Sequence, residues 1–431
     1  MSLPSGYKRL EYIQSTGTQY INTGFKPNQD TRTIMDFELL SVVGQYADPI
    51  FGVRTSSSSK AYYLWSSGYN TTNERYQSGY NNGSTYPSIA RVGRHIVDKN
   101  KNITAIDGVT TTSTYAVFST DWNMLLFNSY NNGKLYGKTT KMRLYSCQIY
   151  DNGILIRDYI PCQATDGKIG LWDDVNSVFY GNAGTGTFKA GPIVVSPSEI
   201  TKLKYIQSSG TQYIDTGFKP TGATKIVCDF QMVNQGTEQQ GVFGSRPGAS
   251  GRFTVFTGDS IGALQVDYNT YGTLAKETST ISGLNLNNRN MIEVSNSLVI
   301  NGTTVKTVPA ASFASTYNLF LFANNNVGTA QLPCSMKLYS CRIYDNGTLV
   351  RDFIPAKLTD GTVGLYDKLN GLLYINAGTG TFEAGPSSLN LPVNIGGTWK
   401  EANEAFVNIG GTWKAVEAAF VNIDGTWKEL G

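Results

Sequence analysis

Apolar and polar residues alternate with period two through most of the chain, in short runs closed by Gly, Asn, Asp or Pro. In Met142–Tyr150 one alternating set is Met142, Leu144, Ser146, Gln148 and Tyr150, and the other is Arg143, Tyr145, Cys147 and Ile149. Successive side chains on a strand point to opposite faces, so this run predicts a strand. Asp151-Asn152-Gly153 follows, and Asn-Gly tolerates the positive φ of a tight hairpin. Ile154–Ile160 then returns as the next strand, with Pro161 expected to end it. Asp166-Gly167 marks another turn, and Lys168–Trp172 another short strand. No amphipathic helical run exceeds two turns. Short strands at this density predict a two-sheet sandwich of jelly-roll type.

The pattern occurs twice. Tyr12–Pro27 reads YIQSTGTQYINTGFKP and Tyr205–Pro220 reads YIQSSGTQYIDTGFKP; LYSCQIYDNGILIRD from Leu144 returns as LYSCRIYDNGTLVRD from Leu338. GLWDDVNSVFYGNAGTGTFKAGP from Gly170 is matched by GLYDKLNGLLYINAGTGTFEAGP from Gly364. The offset is 193 positions at the front, from 12 to 205, and 194 at the back, from 144 to 338. The expected organisation is a first sandwich over residues 1–192, a short stiff linker over 193–201, and a second sandwich over 202–386. Residues 387–431 form a third kind of segment. VNIGGTWK at Val393, VNIGGTWK at Val407 and VNIDGTWK at Val421 recur every 14 residues and read as three small hairpins. Units this small cannot bury their own large side chains, so Trp399, Trp413, Trp427, Phe406 and Phe420 are expected to contact a partner surface. The fold class is therefore all-β: two tandem jelly-roll β-sandwiches followed by a hairpin-repeat tail.

Composition agrees with that reading. The 431 residues include 46 Gly and 26 Tyr, with only 16% charged residues, which suits turns and Tyr-rich surfaces. A net charge of +3 gives no basic face for nucleic acid. The N-terminal residues show no basic stretch followed by an apolar one, and no apolar run is long enough to span a bilayer. Neither a signal peptide nor membrane insertion is expected. The five cysteines, Cys147, Cys162, Cys228, Cys334 and Cys341, read as small buried hydrophobes and agree with synthesis in a reducing compartment. Cys334 and Cys341, seven residues apart on one strand, would be roughly 23 Å apart, too far for a disulfide. His95 is the only histidine. A zinc site or a Ser-His pair would have to rest on it alone.

The YIQSTGTQYINTGFKP opening, the LYSC-IYDNG hairpin and the NAGTGTF close resemble the laminin-G-like, concanavalin-like jelly-roll domains of phage and prophage structural proteins. The VNIGGTWK tail resembles the Trp-containing short repeats that end many phage minor structural proteins. The resemblance implies a virion protein, made in a bacterial cytoplasm and placed in a tail, fibre or capsid decoration. It implies other virion proteins and host-surface glycan as partners, and self-association, with a trimer favoured. It allows a calcium ion held by loop carboxylates and carbonyls, with no other cofactor.

Candidate chemistry is sparse. A glycosidase on such a sandwich would carry a pair of carboxylates across a cleft. The closest arrangement is Asp36-Phe37-Glu38, which becomes Asp229-Phe230-Gln231 in the second copy and loses one acid. No catalytic or metal-binding residues are assigned, and a hydrolase is the weakest reading. Asp151/Asp345 and Asp166/Asp360 read as turn formers, and Asp158/Asp352 as cross-strand partners. The binding reading rests on Tyr62, Tyr63, Trp65, Tyr69, Tyr76, Tyr80 and Tyr86, set among Ser, Gly and Asn. Tyr69, Tyr76 and Tyr80, with Trp65, are the candidate ligand contacts of the first copy, the three tyrosines being expected at the surface. Tyr268 and Tyr271 are the candidates of the second. Two functions follow: recognition of host-surface glycan, or a purely structural role on the virion.

Overall fold

The computed structural model describes residues 3–42, 48–56, 59–67, 75–136, 140–235, 238–258, 260, 262, 263–276, 280–388, 391–395, 398–402, 406–415, 420–423 and 426–429. The chain divides into two units, Met1–Val194 and Val195–Gly431. In the first, the larger sheet runs Val109–Thr112, Ile103–Ile106, Gly93–Asn100, Thr31–Ser41, Lys141–Asp151, Ile154–Gln163, Ile169–Asp173, Val178–Tyr180. The smaller sheet runs Lys134–Leu135, Tyr130–Asn131, Asp48–Ser56, Ser59–Ser66, Tyr76–Asn81, Gly83–Thr85. The second unit repeats this plan. Its larger sheet centres on Thr224–Met232 between Asn290–Val294 and Met336–Asp345, and its smaller sheet on Gly241–Arg246, Arg252–Thr257 and Leu264–Ala275. Strands adjacent in a sheet are often distant in sequence, as a jelly-roll sandwich requires.

The hairpins form where Asn-Gly and Asp-Gly place two successive residues at positive φ. Asn152 and Gly153 take 48° and 79°, and Asn346 and Gly347 take the same pair of values. Asp151 and Ile154 then pair directly across a two-residue turn. In the tail, Gly410 and Gly411 take 62° and 85° between the paired strands Phe406–Ile409 and Thr412–Ala415; Leu391–Ile395 pairs with Thr398–Ala402, and Phe420–Ile423 with Thr426–Glu429.

Two local expectations need correction. Strict alternation over Met142–Tyr150 fails at a β-bulge, where the register with Thr31–Ser41 shifts between Leu144 and Ser146. The extra residue reverses the phase, so Met142 and Leu144 share the buried interior with Cys147 and Ile149. Pro161 does not end its strand, which continues to Gln163. Pro161 pairs with Leu171, and its carbonyl accepts a hydrogen bond from the Leu10 N–H.

Both sheets of each unit contribute to its interior. In the second, Phe230, Cys341 and Phe353 of the larger sheet pack with Phe243, Phe253 and Tyr268 of the smaller. The first has a polar inset at the corresponding place. Lys99 is fully buried, its ammonium donating to Ser78 Oγ at 2.8 Å and Thr104 Oγ1 at 3.3 Å, 4.8 Å from the Tyr62 ring centre. Burial without a carboxylate pushes its pKa down to about 7. Counting from the shared strand registers, Thr33, Ser78, Lys99 and Thr104 correspond to Ile226, Val266, Val294 and Leu298, all buried.

Candidate ligand-binding faces

Two of the three tyrosines expected at the surface of the first copy lie in its core. Tyr76 and Tyr80 are 0% and 1% exposed, because they fall on the inward phase of Tyr76–Asn81. The Tyr76 hydroxyl donates to the Arg91 carbonyl, and the Tyr80 hydroxyl to the carbonyls of Gln29 and Ala116. Flanking Gly and Asn do not decide exposure; the face of the strand on which a side chain falls does. Tyr69 lies outside the described residues. In the second copy Tyr268 is buried, donating to the Gly222 carbonyl, whereas Tyr271 is half exposed. The side chains of Trp399, Trp413, Trp427, Phe406 and Phe420 also lie outside the described residues; in the backbone register Trp399, Trp413 and Trp427 sit opposite Asn394, Asn408 and Asn422.

Trp65 takes the outward phase of Ser59–Ser66, on the face of the smaller sheet turned away from the core. Its ring stacks on Tyr63 at 4.0 Å, contacts Tyr136 at 4.6 Å and lies 4.8 Å from the Arg54 guanidinium. The Tyr63 hydroxyl is held by Ser84 and Gln77. Gly79 leaves the room the Tyr63 ring fills, and Gly52 lets the Tyr63 backbone and Cβ approach closely. The stack leaves Trp65 only 3% exposed, so it is a closed platform.

The second copy keeps part of this face and changes the rest. Arg246, Gly244 and Gln265 stand where the first has Arg54, Gly52 and Gln77, while Thr254, Phe256 and Asp267 replace Tyr63, Trp65 and Gly79. Asp267 accepts from Arg252, Gln265 and the Gly272 N–H. Removing the tyrosine removes the hydroxyl that Gln77 bonds. On this face Gln265 Oε1, Thr254 Oγ1, Arg246 Nε and both amide atoms of Asn324 are buried without a hydrogen-bond partner. Desolvation and the neighbouring Arg252 hold the Arg246 pKa below its ordinary value.

A second constellation, which sequence reasoning missed, lies on the outer face of the larger sheet in both copies. In the first, Arg94 forms a two-pronged ion pair with Asp36 at 2.9 and 2.8 Å and covers the Tyr145 ring at 3.7 Å. Tyr145 meets Tyr12 edge-on at 5.4 Å, and Arg143 covers Tyr12 at 4.5 Å. Glu38 accepts from Arg143 and from the Tyr145 hydroxyl. In the second, Arg289 pairs with Asp229 at 3.0 and 2.8 Å and covers Tyr339 at 4.1 Å; Tyr205 meets Tyr339 at 5.6 Å, and Lys337 covers Tyr205 at 4.5 Å. Arg94 and Arg289 keep about half their side-chain surface in solvent, 52% and 53%. The two acids that a hydrolase would use, Asp36 and Glu38, are thus ion-paired with Arg94 and Arg143. The Asp36 carboxylate raises the Arg94 pKa. Burial, then Glu38, raises that of Tyr145. Tyr12 and Tyr205 sit inside the repeated opening motif, and Tyr145 and Tyr339 inside LYSC, so identity between copies was the available signal.

In the second copy this constellation borders a cleft of about 620 Å³. Tyr205, Tyr339, Leu203, Ile354 and Pro355 supply apolar wall. Arg289, Asp229, Ser340 and three lysines, Lys202, Lys204 and Lys368, supply polar groups. Lys368 also pairs with Asp352 at 2.8 Å.

The remaining repeated acids are structural. Asp173 and Asp367 are fully buried, each accepting from two backbone N–H groups and an Asn side chain, with Arg157 or Arg351 alongside. Asp158 accepts from Gln148 on the neighbouring strand, and Asp166 closes its turn by accepting from the Lys168 N–H. His95 Nδ1 lies 2.7 Å from Asp107. Among the described residues no three His, Cys, Asp or Glu side chains cluster in a way that could hold a metal ion.

No family model and no curated protein matches the sequence. Among solved structures, domains LG4-5 of the mouse laminin alpha1 chain align with 81% of this chain and 92% of their own, at 10% identity and a TM-score of 0.29. The sandwich assignment stands on the strand order described above.

Proposed function

We propose that this chain is a phage virion-associated binding protein, of a tail, fibre or capsid decoration, that recognises host-surface glycan and has no catalytic role. The observation that carries the reading is the cleft of the second sandwich, where Tyr205 and Tyr339 line the wall beside Arg289, Asp229 and Ser340. Its volume falls within the roughly 300–1,000 Å³ of small-ligand sites. Sugar rings present an apolar face to an aromatic side chain and hydroxyls that both donate and accept, and this lining offers all three kinds of contact. The repeated phage-like motifs support the virion setting, and the hairpin tail supports self-association, a trimer being the form proposed. Ion pairing of Asp36 with Arg94, and of Glu38 with Arg143, leaves that acid pair occupied and supports binding over hydrolysis.

The test is a glycan array with the full chain beside Tyr339→Ala/Arg289→Ala and, as its first-copy counterpart, Tyr145→Ala/Arg94→Ala. Binding that disappears in the second-copy variant supports the reading. A folded, assembled chain that binds nothing, or binding indifferent to both variants, overturns it. One observation favours the purely structural alternative: Ile96 and Met291, at matching positions on the larger sheets, are 58% and 43% exposed, as a face completed by another subunit would be.

A further inference from the structure

Cys228 on Thr224–Met232 and Cys341 on Met336–Asp345 are direct partners in an antiparallel register. Directly opposed residues in such a ladder have Cα atoms about 4.5–5.5 Å apart, within the span a disulfide bridges. Both side chains are fully buried and belong to the same core cluster, so both thiols project from the sheet in the same direction. Sequence spacing hid the pair, because 113 residues separate 228 from 341. In the first sandwich the same ladder position joins Cys147 to Met35, a thioether that cannot form a disulfide, so only the second has two thiols there. Cys334, the remaining cysteine of that sandwich, precedes the strand and packs its sulfur 3.8 Å from that of Met232, four residues along from Cys228.

We propose that Cys228 and Cys341 are a cross-strand disulfide site, oxidised when the chain folds in the presence of a small-molecule disulfide. The Cys228 thiolate attacks one sulfur of the oxidant and releases one thiolate. The Cys341 thiolate then attacks the Cys228 sulfur and releases the second. The chain loses two electrons and two protons, and the oxidant is reduced to two thiols. Both thiols are closed off from solvent in the finished core, so the exchange takes place before the two sheets close. Once formed, the bond ties the two central strands of the larger sheet across 113 residues and shortens the loop the unfolded chain must order.

The test refolds the full chain with oxidised glutathione, blocks residual thiols in denaturant, and maps the tryptic digest without reduction. Cleavage after Lys225, Arg252, Lys337 and Arg342 places Cys228, Cys341 and Cys334 on separate peptides. The expected result is peptide 226–252 joined to 338–342, two hydrogens lighter than the sum of the free peptides, with Cys147, Cys162 and Cys334 blocked as thiols. Cys228→Met, the residue the first sandwich already carries at that position, should fold and lose the link. Five blockable thiols in a folded wild-type chain overturn the proposal, as does a link that joins any other pair.

Discussion

Lys99→Met should stabilise the first sandwich at neutral pH and abolish a pH dependence that the wild type shows. Lys99 is buried against Ser78, Thr104 and the Tyr62 ring, with its pKa at about 7 against an ordinary 10.5. At about 1.36 kcal/mol per pH unit, that gap makes the charged form cost about 5 kcal/mol in the folded state relative to the unfolded one. Above pH 10.5 the lysine is neutral in both states and carries no penalty. As pH falls from 10.5 towards 7, the unfolded chain takes up a proton that the folded chain refuses, so stability declines. Below 7 both states are charged and the full penalty remains. Met keeps the unbranched stem, and the Ser78 and Thr104 hydroxyls, 2.7 Å apart, still satisfy each other. With about 1 kcal/mol allowed for the lost hydrogen bonds, the variant should gain about 3–4 kcal/mol at pH 7 and close to nothing at pH 10.5. Guanidinium unfolding followed by tryptophan fluorescence reads this once the tail residues Trp399, Trp413 and Trp427 are replaced by Phe in both chains, since Trp65, Trp122 and Trp172 lie in the first copy and residues 202–386 contain no Trp. A variant no more stable than wild type at pH 7, or a gap that does not change with pH, would refute the reasoning.

Further outcomes follow from other packed groups. Asp367→Ala strips a fully buried carboxylate from Arg351, Asn370 and two backbone donors, and should lower stability by about 3–5 kcal/mol in chemical denaturation. Gly79→Ala places a methyl inside the Tyr63 ring; a loss of about 1–3 kcal/mol, with altered near-UV dichroism as the Tyr63–Trp65 stack shifts, is expected. An unchanged spectrum would mean the stack does not depend on that glycine. Removing residues 387–431 should leave both sandwiches folded and lower the assembly state in sedimentation, and an unchanged assembly would locate self-association elsewhere.

Much of the architecture was legible in local chemistry. Asn-Gly pairs require positive φ at two successive positions, so the hairpins, and through them the strand succession, could be read without knowledge of what packs on them. Duplication was equally plain, because the matching strings of the two copies need no structure to align. The bulge in Met142–Tyr150 was partly visible: apolar residues at 142, 144, 147 and 149 change phase midway, and strict period two ignores it. Exposure of the aromatics was not legible. Tyr76 and Tyr80 sit in the same Gly- and Asn-rich stretch as an exposed segment would, and only placement against Phe37 and Phe118 across the core decides their fate.

The sequence by itself determined the strand and turn chemistry, the doubling of the sandwich and the hairpin tail, because each depends on residues close together along the chain. The tertiary structure alone decided which side chains meet across sheets. Arg94 reaches Asp36 and Tyr145, Arg289 reaches Asp229 and Tyr339, Lys99 lies beneath Tyr62, and Cys228 faces Cys341. These groups are brought together by register between strands that are tens to more than a hundred residues apart, and nothing in local spacing encodes that register.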